Sequence, residues 1–556
     1  MQWKRILRSH SLSFALLIAT ALIVYASSLW NDFVIWDDDS LVYLNPLTQS
    51  LTWKNFIGAF SSYDPELYVP LTIVSFQAER ALFGFVPFFF HLDNLLLHAA
   101  NTALALLLFV RLGLRRRSAF IMALVFAVHP INAEAVAWVS ARKDLLAASF
   151  SLGAMLSYLQ WLSNGSKKWF WVVGACMLLA LLSKPVAVSL PLAFLLLDWK
   201  ERRSSPLRAA AATMPFFMLG GIFLLIGLYG KSRNVFAITA TETMLLAVKS
   251  TVFSVQKFIW PGGLSPIYLQ TGPIDISLAQ FFVPAIVLAA AGLLAWQSLR
   301  KTRIVMFSTL FYMLFLMPSF SNFAKDDIYF FSDRYIYISQ IGLLFMIGCA
   351  VDFLRRRALN GAMATAGMIV ASAPIFLLAW SARSQSLLWK DSETLYRDAL
   401  KKNDGSAVMH YNLAVLEHRR GNRVYAFEEY RKTLAIDPKH SKALGNLGVY
   451  FKEEGQTENA LEMLRLAIES DPGAPEPHNT IGSILMDQGD VDGAMEEFGK
   501  SISLNERFAQ AHINLAAALG RKGLYKEGLM EYRRAFELAP QLIRDDPEIK
   551  RALENL

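Results

Sequence analysis

The sequence predicts an all-α protein in two parts, a polytopic bundle of membrane helices followed by a soluble α-solenoid. Two observations point there. Up to about residue 385 the chain is a ladder of apolar runs, most of them long enough to cross the hydrocarbon core of a bilayer as a helix. Beyond residue 390 it turns polar, and Gly421, Gly455, Gly489 and Gly523 recur every 34 residues, the period of the tetratricopeptide repeat (TPR). A chain-wide figure such as 54% hydrophobic residues averages over unlike halves, so the membrane class belongs to the front part alone.

Taken in order, apolar helices are expected at 11–30, 91–111, 118–138, 145–163, 168–183, 185–199, 209–230, 277–299, 304–320, 335–354 and 361–381. That makes about eleven crossings, with the two runs around Pro185 short enough to be a broken pair. Basic clusters sit at every second boundary: Lys4/Arg5/Arg8, Arg111/Arg115/Arg116/Arg117, Lys167/Lys168, Lys200/Arg202/Arg203/Arg208, Arg300/Lys301/Arg303 and Arg355/Arg356/Arg357. The net charge of +8 would suggest nucleic acid in a soluble protein; in these short clusters its first meaning is orientation, and no nucleic-acid partner is expected. All clusters agree on a cytoplasmic side. The N-terminus is then inside, while the segments 31–90, 231–276 and 319–334 and the repeats are outside. Residues 244–260 are amphipathic and read as a helix lying on or dipping into the outer face. The start resembles a secretory signal, and an uncleaved first helix is the favoured reading because acidic residues follow it directly.

The repeats align residue by residue. Small or apolar positions recur as Leu413/Ala414, Leu447/Gly448, Ile481/Gly482 and Leu515/Ala516, followed by Ala426, Ala460, Ala494 and Gly528, with Tyr430, Leu464, Phe498 and Tyr532 as the large position. Each unit is two antiparallel helices whose small residues permit close approach while the large one fills the gap to the next unit. The third unit departs at its end, with Asn505-Glu506 in place of a proline-terminated step. The domain plan is a membrane domain at 1–385 with its first outer loop at 31–90, a half repeat and linker helix at 386–404 (Tyr396 and Ala399 sit 34 residues before Tyr430 and Thr433), four repeats at 405–540 and a capping helix at 541–556. Stacked repeats form a groove suited to an extended peptide; the bland alternative is oligomerisation.

Cys176 and Cys349 lie far apart inside apolar runs, which argues against a disulfide framework. There is no G-x-x-x-x-G-K-[ST] phosphate loop and no zinc-type Cys/His cluster in the sequence, so nucleotide hydrolysis and zinc chemistry are not expected. Chemistry is sought where ionisable residues meet the outer membrane edge, because charge is costly there. Asp37, Asp38 and Asp39 follow Trp36 directly after the first span. The same side receives Tyr68-Val69-Pro70, His91 with Asp93 and Asn94, His129-Pro130 with Glu134, Arg142-Lys143-Asp144, Lys184-Pro185 and Asp333-Arg334-Tyr335. Individually each has an ordinary explanation: the aspartates as a solvated interfacial turn, His98 as a packed core histidine, Lys184 as a snorkelling lysine. Their convergence on one face is harder to set aside.

The runs Trp36-Asp37-Asp38, Val69-Pro70-Leu71-Thr72, Phe90-His91-Leu92, Asn94-Leu95-Leu96-Leu97-His98, His129-Pro130-Ile131-Asn132-Ala133-Glu134-Ala135-Val136, Ala141-Arg142-Lys143-Asp144-Leu145-Leu146, Asp333-Arg334-Tyr335-Ile336-Tyr337 and Trp389-Lys390-Asp391 resemble those of the transmembrane and tetratricopeptide-repeat-containing (TMTC) proteins. The resemblance covers essentially the whole chain. It implies a GT-C type glycosyltransferase that moves a sugar, typically mannose, from a polyprenyl-phosphate donor to Ser or Thr of secretory proteins. The chain departs from the family pattern at Ala141 and Lys143, where glycine and alanine are expected, and at Asp333, where glutamate is expected. It is also short, with few repeats. These differences point to a bacterial relative in an inner membrane using undecaprenyl phosphate; the alternative is the endoplasmic reticulum membrane.

The topology suits that reaction independently: an apolar bundle holds the polyprenyl tail, a polar rim holds the sugar phosphate, and a repeat groove presents an acceptor protein or peptide. Transfer is expected by single displacement with inversion. A hydroxyl needs a positioned base as it attacks, and Asp37 or Asp38 is expected to supply it. Arg334, Arg142 and Lys184 are expected to stabilise the departing phosphate. Glu134 and His129 are expected to orient the sugar or support the base, with His91, Asp144 and Tyr335 lining the donor subsite. A divalent cation, Mg or Mn, bridging Asp37 and Asp38 to the phosphate is a weaker expectation because the carboxylates lack a fixed ligand spacing. Two other function classes compete: a non-enzymatic membrane-anchored scaffold, and transfer of a lipid-linked oligosaccharide or modification of a glycan. A single span would suffice for a scaffold, so about eleven spans with charged outer rims count against it.

Overall fold

A computed structural model of the chain describes residues 11–63, 67–201, 205–231, 238–323, 329–357 and 361–539. The clusters Lys4/Arg5/Arg8 and Arg202/Arg203, the side chains of Arg356 and Arg357, and the expected capping helix at 541–556 lie outside the described residues. The chain divides into two compact units, Met1–Lys402 and Asn403–Leu556.

In the first unit every expected apolar run is helical. The helices are α1 (Ser11–Tyr25), α2 (Trp53–Ser61), α3 (Pro70–Phe83), α4 (Pro87–Arg111), α5 (Arg116–Val128), α6 (Ala133–Ala137), α7 (Arg142–Asn164), α8 (Lys167–Ser183), α9 (Leu190–Glu201), α10 (Pro206–Lys231), α11 (Ala240–Ile259), α12 (Ala279–Ser298), α13 (Ile304–Leu316), α14 (Gln340–Arg357), α15 (Gly361–Leu387) and α16 (Ser392–Lys402). Among the described residues six helices are long and apolar enough to cross a membrane, or seven if the bent α5–α6 pair counts as one span. The runs beside Pro185 form α8 and α9, of 17 and 12 residues, joined by a 3-10 turn. Amphipathic α11 is not among the six; it buries Leu246, Ser250, Thr251, Ser254 and Phe258 and leaves its opposite face open. A two-stranded antiparallel ribbon, β1 (Tyr268–Leu269) with β2 (Tyr329–Phe331), is a small addition to an otherwise helical unit.

Helix α7 forms the spine, lying along α8 and across α4, with α1, α5 and α14 closing the core around Phe109, Phe126, Leu152, Tyr158 and Phe194. It stops where Gly165 adopts φ 63°, a left-handed cap that costs glycine little. The single helix expected at 118–138 is broken. Pro130 has no N–H to continue the ladder, so the chain bends by 49° into a 3-10 turn and the short α6, which carries Glu134.

The basic turns meet at one end of the bundle. Lys200 Nζ donates to Leu112 O at 3.0 Å, Arg303 Nη1 to Trp199 O at 2.5 Å and Arg111 Nη2 to Leu159 O at 3.1 Å. Asp352 accepts from Arg115 N and Ser118 Oγ, capping α5 from α14. Every basic cluster with a described bond of this kind is tied to another helix end.

In the second unit, α17 (Ala407–Arg419), α18 (Arg423–Ile436), α19 (Ser441–Glu453), α20 (Thr457–Ser470), α21 (Pro475–Gln488), α22 (Val491–Leu504), α23 (Ala509–Arg521) and α24 (Tyr525–Leu538) make four helix pairs. Gly421, Gly455, Gly489 and Gly523 turn between paired helices at φ 82°, 71°, 85° and 80°, conformations that other residues adopt only under strain. The expected small-to-large packing is direct: a Cβ on Gly448 would come within 2.6 Å of Leu464, and one on Gly482 within 2.6 Å of Phe498. The helix carrying Tyr396 and Ala399, α16, buries both residues within the first unit.

Candidate active site

At the end of the bundle opposite the basic turns, the chain leaves α1 through a 3-10 turn and reaches the Trp36-Asp37-Asp38 corner. A strap from 386 to 402 pins this stretch. Asp32 N donates to Lys390 O at 2.8 Å, Ile35 N to Ser392 Oγ at 2.8 Å, Asn31 Nδ2 to Ser386 O at 3.1 Å, and Tyr396 Oη to Ile35 O. The two aspartates that the sequence leaves equivalent are then different groups. Asp38 is fully buried and accepts from Val34 N at 3.0 Å, Ser140 N at 2.9 Å and Ser140 Oγ at 2.5 Å. Burial pushes its carboxyl up to about 7, against the hydrogen bonds from Ser140 and Val34 that hold it down. Such a value suits a base, but both oxygens are already engaged, and reach comes before pKa. Asp37 turns outward, its side chain 44% exposed, with Lys143 Nζ 3.6 Å from Oδ2.

The Arg142-Lys143-Asp144 run opens α7, where successive residues are rotated by about 100° and so serve three neighbours. Arg142, expected at the donor phosphate, is instead a buried clamp. Its guanidinium pairs with Glu79 of α3 through both terminal nitrogens, donates to Phe90 O at 2.8 Å and through Nε to Asn94 Oδ1 at 3.0 Å, and lies 4.6 Å from the Phe76 ring centre. Every nitrogen of the group is engaged, which leaves none for a phosphate. Lys143 faces Asp37. Asp144 contacts Lys184 directly, and its Oδ2 is buried with no hydrogen-bond partner among the described residues.

Glu134, lowered into place by the break at Pro130, accepts from Ser332 Oγ at 2.8 Å and Arg334 N at 3.0 Å and pairs with the Arg334 guanidinium. Asp333 is held by Tyr268 Oη at 2.9 Å, and burial, with the Glu134 charge close by, pushes its carboxyl well above the usual range. Trp138 lies at the centre: Lys143 Nζ is 5.0 Å and the Arg334 guanidinium 4.9 Å from its ring centre, and Trp389 stacks on it at 5.5 Å. Tyr335 joins the group, its ring 5.0 Å from Arg334 and 6.0 Å from Lys184. Lys143, Lys184 and Arg334 therefore converge, each with one carboxylate partner. Trp138 Nε1 and Arg334 Nε are buried donors with no acceptor among the described residues. A cluster of cations with spare N–H donors is suited to an oxyanion.

Two expected donor-site histidines have other duties. His129 Nε2 meets Phe258 O at 2.9 Å, Nδ1 accepts from Ile131 N at 3.3 Å, and the ring stacks on Phe258 at 4.9 Å, so it fixes the helix break. His91 is buried on α4 with the Asp32 backbone as its polar neighbour, and neither ring nitrogen has good hydrogen-bond geometry among the described residues. His98 is a core residue as expected, between Tyr337 Oη at 2.7 Å and Ala127 O at 3.1 Å. Sequence reasoning noted Lys143 without giving it a role and missed Trp138 and Glu79.

A cation bridging Asp37 and Asp38 does not fit this donor set. Asp38 spends both oxygens on N–H and O–H donors, and the Lys143 ammonium is the cation beside Asp37. Among the described residues no three His, Cys, Asp or Glu side chains converge as metal ligands. A small cavity beside Trp389 is bordered by Glu134, Asp333, Ser265, Gln385 and Asp398.

Comparison with known proteins shows what the chain as a whole is similar to. The human protein O-mannosyl-transferase TMTC1 is 24% identical over 503 residues, covering 79% of this chain and 57% of its own length. A Caenorhabditis elegans protein O-mannosyl-transferase is 24% identical, covering 77% of this chain and 63% of its own. The chain is similar to the TMTC proteins over most of its length. Mouse TMTC3 is 37% identical over 151 residues, 26% of this chain and 16% of that one. The chain spans about three fifths of the length of the TMTC relatives that it matches over most of its own length. Tetratricopeptide repeat family models match residues 376–441, 441–473 and 482–523. Among solved structures, the MamA protein is 21% identical over 30% of this chain and 89% of its own, with a TM-score of 0.24.

Proposed function

We propose that the chain is a membrane glycosyltransferase that moves a sugar, mannose by analogy with its TMTC relatives, from a polyprenyl-phosphate donor to Ser or Thr hydroxyls of exported proteins. The observation that carries this is a half-exposed carboxylate, Asp37, held beside three converging cations at one end of an apolar bundle. The acceptor hydroxyl gives its proton to Asp37 as its oxygen attacks the anomeric carbon from the face opposite the phosphate, so the configuration inverts. Negative charge grows on the departing lipid phosphate, and Lys184, Arg334 and Lys143 with the Trp138 and Arg334 N–H donors stabilise it. Glu134 and Asp144 hold two of these cations in position. Arg142, His129 and Asp38 hold the walls.

The basic turns at the other end support assigning that end and the N-terminus to the cytoplasm, with the site and repeats outside. A nucleotide sugar would not reach the site there, which favours a lipid-linked donor. The repeat unit is assigned the role of binding acceptor or partner protein. The direct experiment presents purified protein with radiolabelled mannosyl polyprenyl phosphate and Ser/Thr peptides. Labelled peptide with the anomer opposite to that of the donor is the expected product. Folded protein that transfers no sugar from any lipid-phosphate donor would return the chain to the anchored-scaffold class.

A further inference from the structure

The three ion pairs around Trp138 are not alike. Lys184–Asp144 and Arg334–Glu134 are direct contacts, whereas Lys143 Nζ stands 3.6 Å from Asp37 Oδ2. A charge-assisted N–H···O bond is shorter, about 2.7–2.9 Å. The two ends also differ in environment: the Lys143 side chain is 7% exposed and that of Asp37 is 44% exposed. A buried ammonium facing a carboxylate that stands half in solvent is only partly compensated. Lys143 and Arg334 lie against the same indole, and both act on Lys184 by like-charge repulsion. An anion placed among the three would relieve that repulsion and offer an acceptor to the buried Trp138 and Arg334 N–H groups.

We propose that Lys143 exchanges partners, holding Asp37 before the donor arrives and turning to the donor phosphate when it binds, which releases Asp37 to act as base. This rests on the functional reading above. The exchange makes donor binding a condition for a free base, so the acceptor is activated only when there is a sugar to receive. It also gives a reason for a lysine at a position where a small residue would leave the other two cations in place.

The test is binding of farnesyl phosphate, a short polyprenyl monophosphate, to the purified full chain in detergent, measured by calorimetry. The proteins are the wild type, Asp37→Asn, Lys143→Met, Lys143→Arg and the Asp37→Asn/Lys143→Met double variant, each eluting as the wild type does. Because Asp37 competes for the ammonium, Asp37→Asn is expected to tighten binding by about threefold to tenfold, and Lys143→Met to weaken it by a similar factor. Lys143→Arg retains the cation and is expected to bind as the wild type does. The gain from Asp37→Asn is expected to disappear in the Lys143→Met background. An equal gain in both backgrounds would mean that Asp37 acts only through its general field, and the exchange would be wrong while the anion site stood. A wild-type protein that does not bind farnesyl phosphate would overturn the anion site and the exchange together.

Discussion

Neighbouring residues of one chemical type have been given different work here, and the difference lies in what each side chain meets. Asp37 and Asp38 are adjacent carboxylates, yet Asp38 is sealed in by Val34 and Ser140 and Asp37 looks outward to Lys143. Asp38→Asn replaces one acceptor oxygen with an amide that faces hydrogen-bond donors, so it is expected to cost about 1–3 kcal/mol of stability, read as a lowered melting temperature. Breaking the Arg142 clamp is expected to be worse. Glu79→Ala leaves a buried guanidinium short of its carboxylate, a loss of about 3–5 kcal/mol that thermal unfolding or expression level would reveal. The sequence brought Asp37, Glu134, Asp144, Lys184 and Arg334 to notice but left their partners unread. Arg142 looks fit for a phosphate, and Lys143 has no assigned role, until it is known that Glu79, 63 positions earlier, waits on one face of α7 and Asp37 on another. Long-range partners of this kind leave no local pattern.

Helices and repeats were far more legible, because period and length are written locally. Most expected apolar runs are single helices; the run at 118–138 is not, because proline ends the ladder at His129-Pro130, which the apolar pattern alone treats as the interior of a span. In the repeats, Gly482→Leu forces a side chain into the Phe498 ring, and the overpacking is expected to cost about 1–3 kcal/mol, visible as faster hydrogen exchange in α21 and α22. A second element-level expectation concerns pH. His410 of α17 bonds Glu429 of α18 at 2.6 Å, and the same spacing gives His478–Glu497 and His512–Glu531, while the second repeat has Leu444 and Met463 at those positions. Burial opposes charge on His410, but the bonds to Glu429 and the Asp404 carbonyl outweigh it and raise its pKa; Glu429 is lowered by His410 and Lys432 against its own burial. A raised histidine stabilises fully below its unfolded value of 6.5, and the gain is lost as pH rises through the folded value. A lowered glutamate stabilises above its unfolded value of 4.5, and the gain is lost as pH falls through the folded value. Amide exchange in α17 and α18, corrected for intrinsic rate, should therefore be slowest between about pH 4.5 and 6.5 and speed up as the pH rises through the folded value of His410. The His410→Leu/Glu429→Met variant, which copies the second repeat, should flatten that dependence.

Across the membrane unit as a whole, charge is sorted to the two ends. One end holds basic turns bonded to neighbouring helix termini, and the other holds a balanced cluster of cations and carboxylates around Trp138. That separation predicts orientation. With Cys176 and Cys349 changed to serine, a cysteine at exposed Lys54 should react with an impermeant maleimide in intact cells, and one at exposed Lys301 only after permeabilisation. The central claim is that the outward-facing Asp37, beside Lys143, Lys184 and Arg334, is the base of a sugar transfer from a lipid phosphate. Its most direct test compares single-turnover transfer of mannose by Asp37→Asn and Asp38→Asn proteins, each normalised to folded molecules. Loss of a general base should slow the Asp37→Asn protein by about 10²–10⁴-fold while folded Asp38→Asn protein stays within about tenfold of wild type. The reverse ranking, with Asp37→Asn active and Asp38→Asn silent, would contradict it.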